Sequence, residues 1–281
     1  MTRRSTRLVS PPVKALEQVA AWPARRAAVG VTRADEELGA VGPRDEILPW
    51  ASVTKLLTAL AALVAVEEGV VDLDAPAGPE RSTIRHLLAH ASGLAPDELT
   101  PIARPEQRRI YSNAGFEVLA DAVAEAAEMA FADYLGAAVL EQLGLRQPLE
   151  GSPASGYRGT LDDLLALGHE LLRPTLVAPE TLAEATAVVF PGLVGVLPGF
   201  GRQDPNDWGL GFELRDAKSP HWTGRTNSPR TFGHFGRSGT FLWIDPDAGL
   251  ACACLTDLEF GSWAAEAWPA LSDAVLAEAS R

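Results

Sequence analysis

The sequence predicts an α+β fold: one antiparallel sheet built from both termini, flanked by helices, with a mostly helical segment inserted between its halves. Three observations predict it. Residues 27–42 alternate and turn as a β-hairpin does, and residues 52 to about 200 carry apolar side chains at helical spacing. After Pro198-Gly199 the period returns to alternation, over 208–214, 239–244 and 248–255. Strands near both ends of a helical middle close most simply into a single sheet.

Each element has a local reason. Residues 11–22 form an amphipathic pattern opened by prolines, with Pro12 near the first turn. Residues 27–32 read as a buried strand and 37–42 as its hairpin partner across Arg33-Ala34-Asp35-Glu36. An apolar helix follows Pro49-Trp50-Ala51, and a short helix over 84–90 is stopped by Ser92-Gly93. Helical spacing runs from 116 to 140 with an interruption near Gly136. Thr160 with Asp163 resembles a capping box, and Pro179 opens the next helix. Asp245-Pro246-Asp247 is the turn joining the last two strands, and a helix over 263–279 closes the chain.

Composition narrows the class. The 281 residues, 47% hydrophobic and 22% charged, suit one large globular domain. A net charge of −13 argues against nucleic acid or an anionic membrane as partner. Arg3-Arg4 is followed by no apolar core, so no export signal is expected, and no stretch reaches the roughly 18 apolar residues of a membrane span. A cytoplasmic protein without membrane insertion is the expectation. Cys252 and Cys254 alternate on one strand, so they share a face, fit disulfide geometry badly, and read as small buried apolar residues.

Chemistry concentrates in three places. Ser52-Val53-Thr54-Lys55 opens the apolar helix, and one helical turn brings Ser and Lys side chains together. A serine beside an amine that can take its proton, near the free N–H groups of a first turn, is an activated nucleophile. Tyr111-Ser112-Asn113 precedes a helix, and His234-Phe235-Gly236-Arg237 lies on or before a strand. His86 and His90, at i and i+4, have no Glu between them in a metal-binding arrangement and no evident third ligand, so they read as packing and hydrogen-bonding residues. No metal and no cofactor are expected. His169 and His221 read as surface or loop residues, and Trp208, Trp222 and Trp243 as core, with a pocket wall as the alternative.

The order Ser-x-x-Lys, Tyr-x-Asn, His-x-Gly resembles the serine β-lactamase and penicillin-binding protein superfamily, in its class C β-lactamase and esterase branch. The likeness extends to Asp72-Leu73-Asp74, residues 84–94, 160–164 and Trp208-Gly209-Leu210-Gly211, and covers roughly residues 27–275. It implies one β-lactamase-like catalytic domain over 1–281, with a sheet lobe of 1–51 and 205–281 and a helical lobe of 52–204. It implies Ser52 as the nucleophile of an acyl-enzyme, with Lys55 beside it as a cation. Tyr111 would act as general base with Lys55, and Asn113 would orient substrate. His234, Phe235, Gly236 and Arg237 would line the cleft, the Ser52 and Arg237 N–H groups forming the oxyanion hole. A phenolate at neutral pH needs neighbouring cations, and the candidates are Lys55, and His234 when protonated.

Two departures bear on the substrate. Phe235 stands where the family often has threonine, whose hydroxyl helps bind a carboxylate, and His234 replaces a permanent cation. Arg237 beside them could restore a carboxylate site. The small-molecule substrate is accordingly expected to be an ester. The alternatives are a β-lactam or D-alanyl peptide amide, as for a β-lactamase or carboxypeptidase, and a non-catalytic binding protein of the same fold. Oligomeric state is not legible.

Overall fold

The computed structural model describes residues 13–279; Arg3-Arg4 and Pro12, singled out from the sequence, lie outside the described residues. A 3-10 helix, Lys14–Ala21, buries Leu16 and Val19 and leads into β1 (Ala27–Thr32) and β2 (Glu37–Val41). The short strand β3 (Leu48–Pro49) precedes a 3-10 turn, Ala51–Val53, and α1 (Thr54–Glu67). Then come α2 (Ile84–Leu88), α3 (Asn113–Ala127), α4 (Phe131–Leu135) with a π-helical turn at Gly136–Leu140, β4 (Arg158–Gly159), α5 (Leu161–Leu172) and α6 (Pro179–Ala185). The chain ends in β5 (Gly195–Leu197), β6 (Gly201–Gln203), β7 (Glu213–Leu214), β8 (Phe232–Gly236), β9 (Thr240–Asp245), β10 (Leu250–Thr256) and α7 (Ser262–Ala279).

A six-stranded antiparallel sheet runs β2-β1-β10-β9-β8-β7, so strands from both ends of the chain meet where Val29 pairs with Cys254. Alternation sorts its side chains. Ala251, Ala253 and Leu255 face α5 and the core around α1, whereas Val29, Val31, Cys252 and Cys254 face α7 and the 3-10 helix. The two cysteines are free and buried on that second face, as small apolar residues. Helix α1 is apolar nearly all round, which requires burial on every side. It runs through the core with twelve of its residues buried, Lys55 among them.

Local signals explain most boundaries. The Thr160–Asp163 capping box forms as expected, each side chain bonding the other residue's backbone N–H. Asp245 Oδ1 accepts the N–H groups of Asp247 and Ala248, which fixes the β9–β10 turn. Three expectations are corrected. The helix expected over 116–140 breaks at Glu128, in the left-handed region at φ 52°, and Gly136 continues as helix. Of the strand expected over 208–214 only Glu213–Leu214 forms as strand, with Trp208 in isolated bridges to Val189 and Glu213, because Gly211 turns the chain at φ 85° and donates its N–H to Leu88 O. A Cβ on Gly211 would come within 2.3 Å of the Ala59 Cβ, so this turn is pressed onto α1.

The histidines are placed differently too. His169 lies half-buried on α5, bonded to the Thr32 hydroxyl. His221 is buried, its Nε2 2.9 Å from Glu213 Oε2. The same carboxylate takes Lys218 Nζ at 2.6 Å and Trp222 Nε1 at 2.8 Å, so a buried acid has collected three partners. No helix among the described residues is long and apolar enough to cross a membrane.

Candidate active site

Three distant segments converge on one cavity of about 300 Å³, lined by Ser52, Tyr111, Asn113, His234, Phe235 and Arg237 among others. Lys55 and Gly236, the other two residues singled out from the sequence, are not in that lining but adjoin Ser52.

Ser52 is carried on the turn before α1. Trp50 anchors that turn: it is fully buried, its backbone N–H donates to Tyr157 O at 3.0 Å, and its ring meets Tyr157 edge-on at 4.7 Å. Ala51 is held at φ 46°, a left-handed conformation that costs a non-glycine residue about 1–2 kcal/mol. Strain of this kind persists where surrounding contacts enforce it. On the far side β8 closes in: a Cβ on Gly236 would stand 2.4 Å from Trp50 O and 3.3 Å from the Ser52 nitrogen. Only glycine lets the strand come so near the Ser52 turn.

Lys55 has no solvent exposure. Its Nζ donates to Asn113 Oδ1 at 2.6 Å, to Ala154 O at 2.9 Å and to Ser52 Oγ at 3.4 Å, and sits 4.7 Å above the Tyr111 ring. Burial pulls its pKa down to about 7, against an opposing pull from Asp97 and Glu117. Near neutrality a large share of the amine is therefore uncharged. Asn113 is fixed from both ends, since its Nδ2 donates to Asp97 Oδ1 at 2.7 Å.

Tyr111 is half-buried with its Oη enclosed, and this desolvation raises its pKa, with the Ser52 hydroxyl partly offsetting the rise. Its Oη has no hydrogen-bond partner of good geometry. The phenol is thus neutral and available. His234 is buried, and burial, aided by Lys55, lowers its pKa to about 3. Its Nδ1 lies 2.7 Å from Phe235 O, leaving Nε2 unpartnered. His234 is thus a neutral ring near pH 7 and lends a phenolate at Tyr111 no charge.

Phe235 packs among Phe200, Trp222, Phe260 and Trp268. Arg237 has a side chain 83% exposed and 3.6 Å from Glu259, so its guanidinium is turned to solvent and already has an acid beside it. The helix expected to carry His86 and His90 on one face ends at Leu88. His86 closes the cap of α2 through Thr83 and reaches Glu106, while His90, at φ 54°, packs under Tyr111 and accepts the Ser112 N–H. Trp208 lines the cavity; Trp222 and Trp243 belong to the core.

Sequence reasoning missed Asp97, Ala154 and the 197–199 loop that closes the cavity. Asp97 follows the quoted 84–94 segment by three residues, which is its only local signal. The other two reach the site through tertiary contacts alone.

A serine beside a buried amine, with a phenol close by, on this α+β frame, is an arrangement that suits a serine hydrolase. The chain belongs to the β-lactamase family, whose model matches residues 19–276. It is similar to a β-lactamase from Mycobacterium bovis, at 54% identity and TM-score 0.93, over 95% of this chain and 100% of that one. More distant likenesses show the fold. One is to EstCE1, described as a hydrolase with promiscuous acyltransferase activity, at 19% identity and TM-score 0.73, over 92% of this chain and 96% of that one. Another is to unliganded simvastatin synthase from Aspergillus terreus, at 18% identity and TM-score 0.74, over 94% and 96%. No curated protein matches the chain.

Proposed function

We infer that the protein hydrolyses a small ester through an acyl-enzyme on Ser52. The observation that carries the chemistry is Lys55, a buried amine with pKa about 7 placed 3.4 Å from Ser52 Oγ. A general base works best with a pKa near the working pH. In the uncharged amine two N–H groups stay on Asn113 Oδ1 and Ala154 O, which leaves the lone pair toward Ser52.

The steps then balance. Lys55 takes the Ser52 proton as Oγ attacks the ester carbonyl. The Ser52 and Arg237 N–H groups hold the oxyanion, which exists only past the ground state. Tyr111 donates its phenolic proton to the departing alkoxide, and the proton on Lys55 returns to the phenolate. Water repeats the sequence on the acyl-enzyme, restoring Ser52 and releasing the acid.

The ester preference rests on the wall facing Ser52. A neutral His234, a Phe235 ring and an outward Arg237 offer no built site for a substrate carboxylate. A second reading, β-lactam hydrolysis, is favoured by the 54% identity to a protein described as a β-lactamase. Turnover of p-nitrophenyl acetate against a chromogenic cephalosporin, with Ser52→Ala as control, tests the choice. Ester turnover that Ser52→Ala abolishes is expected; rapid cephalosporin turnover without ester turnover would reverse it.

A further inference from the structure

A second cavity, of about 580 Å³, adjoins that of Ser52 and shares Tyr111 and Pro198 with it. One stretch of backbone builds both. Arg109 N donates to Val194 O at 2.9 Å, pairing the segment that leads into Tyr111 with the segment that leads into Leu197 and Pro198. Tyr111 is therefore shared by the wall of the Ser52 cavity and that of the second cavity.

The walls of this cavity are mainly apolar. Ile102, Ile110, Val194 and Val196 line it, and Ile102 and Val196 are 50% and 59% exposed. Six large hydrophobic side chains of the described residues are this exposed or nearly so, and two of them flank this one cavity. Its size falls in the range of small-molecule sites, roughly 300–1,000 Å³.

Charge marks the occupant further. The charged lining residues are all arginines, on a chain of net charge −13. Arg109 is committed inward, its guanidinium held by Ala89 O, Val189 O, Phe190 O and Asn206 O. Arg202 reaches Asp204 at 3.0 Å across the surface. Arg108 donates only to Ile102 O, at 3.4 Å, and has no carboxylate partner among the described residues.

We propose that this cavity is the subsite for the leaving group of the substrate: an extended aliphatic alcohol with a carboxylate at its far end, its hydroxyl oxygen at Tyr111 and its carboxylate at Arg108 and Arg202. The assignment to the alcohol rather than the acyl part rests on the reading of Ser52 as nucleophile and Tyr111 as donor to the departing oxygen. It is compatible with the uncharged wall at His234 and Phe235, because the anionic end lies in the second cavity, whose lining includes neither residue.

The test uses 8-hydroxyoctanoate as the probe, titrated calorimetrically into the full-length protein, with 8-acetoxyoctanoate and ethyl acetate as paired substrates. Wild type is expected to bind the hydroxy acid. Val196→Trp, which fills the cavity from an exposed position, is expected to weaken binding by at least roughly tenfold, since each methylene displaced from an apolar wall matters. Arg108→Glu with Arg202→Glu is expected to weaken it about fivefold and to leave 1,8-octanediol less affected, as for solvent-exposed ion pairs. The ratio of kcat/KM for 8-acetoxyoctanoate over ethyl acetate is expected to fall in Val196→Trp. No binding by wild type, or binding indifferent to both variants, overturns the subsite. Binding that responds to the variants without turnover of either ester leaves the subsite standing and overturns the hydrolase reading instead.

Discussion

Asn113 Oδ1 lies 2.6 Å from Lys55 Nζ, while the Nδ2 of the same amide lies 2.7 Å from Asp97 Oδ1. The amide therefore links an exposed acid to a fully buried amine. Asp97 opposes the downward pull of burial on Lys55.

A pH dependence follows from this link. If the uncharged amine is the base, kcat/KM for an ester rises with pH through about 7, the Lys55 value in the free protein. Asp97→Asn removes a negative charge that favours the ammonium form, so this limb moves to lower pH. A pH–rate profile of wild type and Asp97→Asn checks the direction; a limb that moves up or stays fixed contradicts it.

The same group affects stability. The folded pKa of Lys55 lies below its unfolded value of 10.5, so between about 7 and 10.5 the unfolded chain holds more protons than the folded one. The Lys55 contribution to stability accordingly rises with pH across that window and is least favourable below it. Lys55→Met is expected to abolish turnover, and to be more stable relative to wild type at pH 6 than at pH 10. Urea unfolding at both pH values measures this difference.

Gly236 sets the approach of β8 to the nucleophile. Gly236→Ala places a Cβ 2.4 Å from Trp50 O and must displace the strand from the Ser52 turn. Loss of one oxyanion donor costs roughly 10²–10³ in rate in comparable hydrolases. A fall of that size in kcat, with KM changed far less, is expected from steady-state kinetics on folded protein.

Glu213 supports the wall behind Trp208. Burial favours its neutral form, but Lys218 and His221 outweigh that and hold its pKa down to about 2. Its folded pKa is depressed, so its contribution is present above the unfolded carboxylate value near 4.5 and is lost as pH falls toward 2. Glu213→Gln leaves the Lys218 ammonium buried without its acid, which is expected to cost about 3–5 kcal/mol of unfolding free energy at pH 7. Chemical denaturation provides the value.

What was legible in the sequence had local causes. Ser52 and Lys55 are one helical turn apart, Thr160 and Asp163 cap their own helix, and Cys252 and Cys254 share a face because strands alternate. What was not legible depends on tertiary approach. Trp208 to Leu214 alternates like a strand, yet Gly211 is pressed onto Ala59 and turns. His221 looks like a polar loop residue until Glu213 is brought against it. The charge states of Lys55 and His234 follow from burial, which no motif spacing reveals.

The central claim is acylation of Ser52, and covalent labelling reaches it most directly. The protein is incubated with an alkyl fluorophosphonate, its intact mass recorded, and the adduct mapped by peptide mass spectrometry. One adduct per chain on Ser52, absent from Ser52→Ala and slowed in Lys55→Met, is the expected result. An adduct on another residue, or labelling of Ser52→Ala at the wild-type rate, would contradict it.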